Sequence, residues 1–338
     1  MVEDFHQILD VLDQPGQKVL ATIVRVQGST YKKEGSSMLL FADGTQIGLL
    51  TAGRLETDLA LRVKEVFRKQ KAVMVQFDLS DEEDISWGKG SGCNGVIDIL
   101  LEPVTEKLKE DFHLLKSLLQ QHKPVIVLKR LDELGEYAFI EEEGEPFGNW
   151  SGPFPIIEFT SQSGVIAGDG PVFQHTYKPR PRLIVFGAGP DARPLVSIAA
   201  ETGFSVVVCD WRLELCQKKY FAAAEHILLG FPSQLLKQIS FSPYDFVVVM
   251  NHHFQHDQEI VRNILNKNIN YLGVLGPKER TKRLLKNKNI PDWVYTPVGM
   301  AIGAIGPAEI AISVIAQMIE VWRRPVHERV QFLWTIPD

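Results

Sequence analysis

Cysteine is scarce: Cys93, Cys209 and Cys216 are all that the 338 residues contain. Three thiols at such uneven spacing make neither a disulfide framework nor a CxxC metal site. Long apolar runs are missing too. Apolar runs such as residues 206–209 and 246–250 are strand-length, against the roughly 20 residues a spanning helix needs, so no membrane partner is expected. Basic charge is not in excess either. The net charge of −6 offers no cationic face to nucleic acid or to an anionic membrane surface. The opening Met1-Val2-Glu3-Asp4-Phe5-His6 lacks the cationic start and apolar core of a secretory signal, so the expected location is cytoplasmic. Neither an internal repeat nor a low-complexity tract is visible.

What is present is enough apolar sequence, 45% of the chain, for two ordinary cores. The first stretch opens with an amphipathic helix carrying Phe5, Ile8, Leu9 and Leu12. Strands are predicted at 19–26, 37–41 and 46–50, with Asp43-Gly44 as a hairpin turn because both residues tolerate positive φ. A helix at 54–68 and strands at 72–78 and 96–102 follow. Residues 105–178 read as a helix, strands at 125–129 and 137–140, and a Pro/Gly-rich connector ending at Arg180-Pro181-Arg182. Beyond Leu183 the texture changes to alternation: continuous apolar strands at 183–186, 205–209, 226–229, 246–250 and 271–275, separated by helical patterns. That signature belongs to a parallel sheet covered on both faces. The fold class is therefore α/β, with a Rossmann-like doubly wound C-terminal domain over 179–338. An N-terminal α+β domain precedes it over 1–178, divided into a core, 1–104, and a connecting region, 105–178.

The sharpest local signal is Gly187-Ala188-Gly189-Pro190-Asp191-Ala192, a G-x-G-x-x-A turn between an apolar strand and a helix. Gly187 permits the tight turn, Gly189 lets backbone approach a phosphate, and Ala192 lets helix and sheet pack closely. Asp210 closes the second strand, where a carboxylate can take ribose hydroxyls. A nucleotide-free Rossmann fold would carry the same pattern. Cys209 in a core strand and Cys216 in an expected helix read as packing residues.

After the fourth strand comes Asn251-His252-His253-Phe254-Gln255-His256-Asp257. In open α/β sheets ligands bind beyond the carboxyl ends of the strands, so Asn251 and His252 are placed to touch one. His252, His256 and Asp257 could also ligate a metal, although no HExxH set is present, and a packed structural loop would look the same. Downstream, Gly276 to Arg283 opens a helix with basic residues, and Gly299, Gly303 and Gly306 hold backbone close either to a ligand or to a neighbouring element. In the N-terminal half Gly53 and Arg54 precede a helix, and Gly92 and Cys93 lie in a glycine-rich loop. A thiol among exposed N–H groups and a nearby lysine is a candidate nucleophile or soft-metal ligand, although a free cysteine is more often a small packed residue.

In combination these segments resemble the XdhC/CoxI family, accessory factors of molybdenum hydroxylases such as xanthine dehydrogenase. The residues that carry the resemblance are Gly28-Ser29-Thr30-Tyr31, Gly35 to Leu39, Gly53-Arg54-Leu55-Glu56, Gly90 to Gly95 and Leu100 to Pro103. In the second half they are the Gly187 turn, Asp210-Trp211-Arg212, Asn251-His252 with Asp257, Tyr271 to Gly276, and Pro297-Val298-Gly299 through Ala311. The resemblance implies a cytoplasmic, non-catalytic maturation factor that binds molybdenum cofactor, as molybdopterin or its dinucleotide, and aids its sulfuration and insertion. It further implies a molybdenum hydroxylase partner, a cysteine desulfurase as sulfur donor, and a homodimer. The expected cofactor-binding residues are Gly187, Ala188, Gly189, Asp210, Asn251, His252, Gly53, Arg54, Gly92 and Cys93.

There are departures from the family pattern. Arg54 stands where the family commonly has a cysteine, Asn94 replaces a glycine, and Met300-Ala301 replaces Leu-Asp. If cofactor transfer needs two thiols, this chain transfers it differently. Two other readings stay open from the residues themselves. One is an NAD-dependent oxidoreductase with His252 or His256 as proton donor; the other is a metal-dependent hydrolase built on His252, His253, His256 and Asp257.

Overall fold

The structure, a computed structural model, describes residues 5–51, 56–78, 95–157, 163–286 and 289–324. The chain divides into two compact units, Glu3–Pro179 and Arg180–Asp338.

In the first unit α1 (Phe5–Asp10) precedes β1 (Lys18–Gln27), β2 (Ser37–Phe41) and β3 (Gln46–Gly48); α2 (Glu56–Lys69), β4 (Val73–Asp78) and β5 (Val96–Pro103) follow. The strands form an antiparallel sheet ordered β3-β2-β1-β5-β4. Next comes α3 (Glu106–Gln120), which starts where the Thr105 side-chain oxygen accepts the Leu108 N–H at 3.2 Å, a normal N-cap. A second antiparallel sheet, β8-β7-β6-β10-β9, is built from β6 (Val125–Arg130), β7 (Tyr137–Glu141), β8 (Phe147–Asn149), β9 (Gly164–Gly168) and β10 (Gly170–Tyr177). Three of these strands lie in what the sequence presents as a connector. They are short or glycine-bounded, and β10 mixes Phe173 and Tyr177 with Gln174 and Thr176, so no continuous apolar run announces them.

Leu108, Phe112, Leu115 and Leu119 of α3 recur at helical spacing and share one core with Phe5, Ile8 and Leu9 of α1, Leu20 of β1, Val127 of β6 and Phe139 of β7. Lys129 of β6 donates to Glu102 of β5, both side chains buried. A buried pair of this kind is costly to break from one side only.

The second unit is a parallel sheet. Its elements are β11 (Arg182–Phe186), α4 (Ala192–Glu201), β12 (Ser205–Asp210), β13 (His226–Leu229), α5 (Pro232–Gln238), β14 (Asp245–Val249), α6 (Phe254–Ile264), β15 (Tyr271–Val274), α7 (Lys278–Leu284), β16 (Val294–Tyr295) and α8 (Pro307–Arg323). Strand order is β13-β12-β11-β14-β15-β16 with every pair parallel, which is the doubly wound arrangement. Strand residues alternate between two cores. Leu183 and Val185 pack with Leu195 and Ala199 of α4 and Val314 and Met318 of α8; Ile184 and Phe186 pack with Ile260 and Ile264 of α6 and Leu284 of α7. Fully burying each aliphatic side chain contributes about 1.5–3 kcal/mol, and both faces are used. The connection from β12 to β13 corrects the expected helix around Cys216: residues 211–225 form successive turns and bends. The order reverses between β11 and β14, and the crevice there lies outside their carboxyl ends.

Candidate functional site

The Gly187 turn sits at this reversal. Gly187 has φ of +128°, and a Cβ there would fall 2.6 Å from the Met250 carbonyl oxygen and 2.7 Å from its carbon. Its N–H donates to Cys209 O at 2.8 Å, while Met250 N–H donates to Phe186 O at 2.8 Å. The first glycine is therefore needed by the close approach of the chain leaving β14. Ala188 and Ala192 are fully buried, as the G-x-G-x-x-A pattern requires for helix against sheet.

Asp210 does not present itself to a ribose. Its side chain has no exposed surface. Oδ2 accepts the Ala188 N–H at 2.7 Å and the Arg212 guanidinium at 2.7 Å; Oδ1 accepts the Arg212 N–H at 2.9 Å and Arg212 Nε–H at 3.0 Å. Four donors fill the roughly four lone-pair sites a carboxylate offers. Burial pushes this carboxyl upward, but the Arg212 guanidinium and the two backbone N–H groups outweigh it and hold its pKa below the ordinary value. The carboxylate expected to read a ribose makes these internal contacts in the structure, and they fix the turn.

Over the second glycine lies Asp191. A Cβ on Gly189 would collide with its Oδ1, and its Oδ2 meets His252 Nε2 at 2.7 Å. Although Asp191 occupies the N-cap position of α4, its side chain makes no capping bond. His252 is exposed, with a left-handed φ of +59°. The Asp191–His252 pair spans the two turns that flank the order reversal.

Asn251 points the other way. It is buried, and its Nδ2 donates to Asp257 Oδ1 at 2.9 Å, while Arg280 donates to Asp257 Oδ2 at 2.6 Å. His256 packs edge-on to Trp211 with centroids 4.2 Å apart, and 4.0 Å from His253. His253 caps α6 by accepting the His256 N–H at 3.3 Å. Burial first, and then the neighbouring His253, lower the His256 pKa. His252, His256 and Asp257, offered by the sequence as metal ligands, therefore face three different sets of partners. Among the described residues no group of three or more His, Cys, Asp or Glu could hold a metal ion. Gly299 approaches α8, where Gln317 Oε1 accepts its N–H at 3.0 Å and Gln317 Nε2 donates to its carbonyl at 3.2 Å; the close element there is a helix.

Gly53, Arg54, Gly92 and Cys93 lie outside the described residues. Gly95 is described, and a Cβ there would fall 2.5 Å from Gln27 O and 3.0 Å from Ser29 O, so it packs on the Gly28–Tyr31 turn. In the same unit Ser163 Oγ and His175 Nδ1 are 2.6 Å apart, and the imidazole packs on Gly35. Burial, and then the charges of Lys178 and Lys129, bring His175 down to about 3.

Sequence reasoning missed Asp191, Arg212, Arg280 and His175 as positioning groups. Asp191 stands inside the glycine motif and Arg212 two residues after Asp210, so both were within reach. Arg280 and His175 act across the fold and have no local signal.

Comparison with known proteins gives matches along most of the chain. The family models that match are the XdhC Rossmann domain over 183–318, the BH1974-like central domain over 106–178, and the XdhC and CoxI family over 11–78. A protein of Bacillus subtilis (strain 168) named as a probable xanthine dehydrogenase component is 41% identical over 330 residues, 95% of this chain and 98% of that one. The molybdenum cofactor insertion chaperone PaoD of Escherichia coli (strain K12) is 23% identical over 319 residues, 90% of this chain and 83% of that one. A crystal structure described as a xanthine dehydrogenase from Bacillus halodurans, 45% identical, superimposes with a TM-score of 0.86 and covers 95% of this chain and 96% of its own.

Proposed function

This chain belongs to the XdhC and CoxI family, and we propose that it is an accessory factor which binds molybdenum cofactor. In this reading it aids sulfuration of the cofactor and its insertion into a xanthine dehydrogenase-type molybdenum hydroxylase. The observation that carries the reading is similarity along 90% of the chain to a protein named as a molybdenum cofactor insertion chaperone. The site geometry supports a binding role. Gly187 and Ala188 spend their N–H groups on β12, and the acid–base groups around the crevice are engaged with one another. A carrier needs a held turn more than a proton relay. The NAD-dependent oxidoreductase loses its main support, because the carboxylate that would read the ribose is saturated from within.

The cofactor is cargo. Its phosphate end would meet the Gly187–Gly189 turn. The partners in this reading are the apo-hydroxylase, a cysteine desulfurase that supplies sulfur, and a second copy of the chain, all in the cytoplasm. No helix among the described residues is long and apolar enough to cross a membrane.

The test is anaerobic incubation of the purified protein with molybdenum cofactor. Molybdenum and oxidised pterin fluorescence are measured in the desalted protein, which is then added to an apo-hydroxylase. Stoichiometric retention and rescue of hydroxylase activity are expected. Absence of retained pterin would withdraw the reading.

A further inference from the structure

We infer that Asp191 is a specificity-determining residue of the crevice, keeping free phosphate compounds and ordinary dinucleotides out of the glycine turn. The inference rests on the proposed function, in which the turn receives the phosphate end of the cofactor. Three observations converge. The Asp191 carboxylate lies over Gly189, the residue whose missing side chain should let a phosphate approach. Its other oxygen is held at 2.7 Å by His252, which reaches across the order reversal from a left-handed backbone position. And the carboxylate makes no capping bond to α4, so the helix does not consume it.

A carboxylate over the turn opposes a phosphate that would use it, both by its charge and by occupying the approach over Gly189. Asp210, which in a dinucleotide site would offset this by binding ribose, has all its acceptor sites filled by Ala188 and Arg212. The crevice therefore withholds both attractions that a Rossmann turn ordinarily offers a dinucleotide, the open approach over the second glycine for the phosphate and a free carboxylate for the ribose. A ligand enters by drawing Asp191 aside, which favours one that carries hydrogen-bond donors beside its phosphate. The turn itself survives that movement, because Gly187 and Ala188 are tied to β12 and not to Asp191.

The experiment is calorimetric titration of the full chain with ADP, NADH and inorganic pyrophosphate, comparing wild type with Asp191→Asn and His252→Asn. Asn keeps the shape of Asp191 without its charge, and Asn tolerates the left-handed backbone at 252. The expected result is an affinity for all three probes at least tenfold higher in Asp191→Asn. His252→Asn, which leaves the carboxylate in place, gains less than twofold. Equal affinities in wild type and Asp191→Asn would overturn the inference, and so would an equal gain in His252→Asn, since loosening of the loop would then explain it. Failure of the functional reading is read separately: it is the absence of molybdenum cofactor uptake by the wild-type protein, whatever the phosphate probes do.

Discussion

The backbone N–H of Ala188 donates to Asp210 Oδ2 at 2.7 Å, so the end of one strand holds the turn that leaves its neighbour. Arg212 completes the carboxylate's shell from two residues away. The most informative residue of the candidate site thereby becomes a brace, and the turn is rigid before any ligand arrives. For a carrier this lowers the cost of ordering on binding.

Removing Arg212 tests the brace. Arg212→Ala leaves a buried carboxylate with two of its four donors, which costs about 2 kcal/mol at neutral pH. The pH dependence has a definite sign. A carboxyl held below its unfolded value stabilises the fold above a pH of about 4, and that contribution disappears as pH falls through the folded pKa. Without the guanidinium the largest lowering contribution against burial is lost, and the Asp210 pKa is expected to rise from its wild-type position. The variant's deficit relative to wild type therefore shrinks as pH falls, because protonation relieves its under-compensated carboxylate while wild type keeps the charged form. Urea unfolding at neutral pH and near pH 4.5 measures both effects; profiles that run parallel would refute the brace.

Gly187→Ala is expected to destabilise the second unit by about 3 kcal/mol. Both the φ of +128° and the backbone of Met250 exclude a Cβ, so the change combines strain with overpacking. Denaturant midpoints followed by tryptophan fluorescence report it. A loss below about 0.5 kcal/mol, the range of an ordinary surface change, would mean the turn relaxes at little cost.

The doubly wound half was legible because its strands are continuous apolar runs: 183–186 and 246–250 need no partner to be recognised, and the glycine turn is local. The second antiparallel sheet was not. Its β8, β9 and β10 are built from Phe147-Gly148-Asn149, Gly164–Gly168 and a strand mixing Phe173 with Gln174, and what makes them strands is their pairing, β10 with the distant β6, β9 with β10 and β8 with β7. The site split the same way. Gly187 and Ala192 take the places their motif assigns. Asn251 and Asp210 are polar residues at the right ends of strands, and Asp257 lies in the first turn of α6; their partners, Asp257 for Asn251, Arg280 for Asp257 and Arg212 for Asp210, decide that they face inward, and sequence spacing does not reveal which way a polar side chain turns.

His175 gives the first unit a distinct acid response. Its imidazole packs on Gly35, which has φ of +89°, and is hydrogen-bonded to Ser163. With a folded pKa of about 3 against an ordinary value near 6.5, the neutral ring stabilises the fold fully above that ordinary value. The contribution is lost progressively as pH falls toward 3, because the unfolded chain takes up the proton first. His175→Gln removes this contribution, so the difference in unfolding free energy between wild type and variant should shrink on acidification from about pH 7 to about pH 4. A difference independent of pH would show that the imidazole is free to protonate in place.

Thiol reactivity bears directly on the proposed role in cofactor sulfuration. Cys209 is fully buried in β12, and burial pushes its pKa upward. Cys216 is half-buried with its Sγ 3.5 Å from the Asp210 carbonyl. Burial first, and then the Asp210 charge, push it up to about 11. At about pH 8 only on the order of one Cys216 in a thousand is then a thiolate, the form that reacts. Brief iodoacetamide treatment of the folded protein, followed by peptide mass mapping, should leave Cys209 and Cys216 unmodified, so that any rapid label maps to Cys93. Denatured protein should take up label at all three cysteines of the chain. Rapid alkylation of Cys216 in the folded state would contradict its placement under the Asp210 carbonyl, and it would give the second unit the additional thiol that the departure at Arg54 removes from the first.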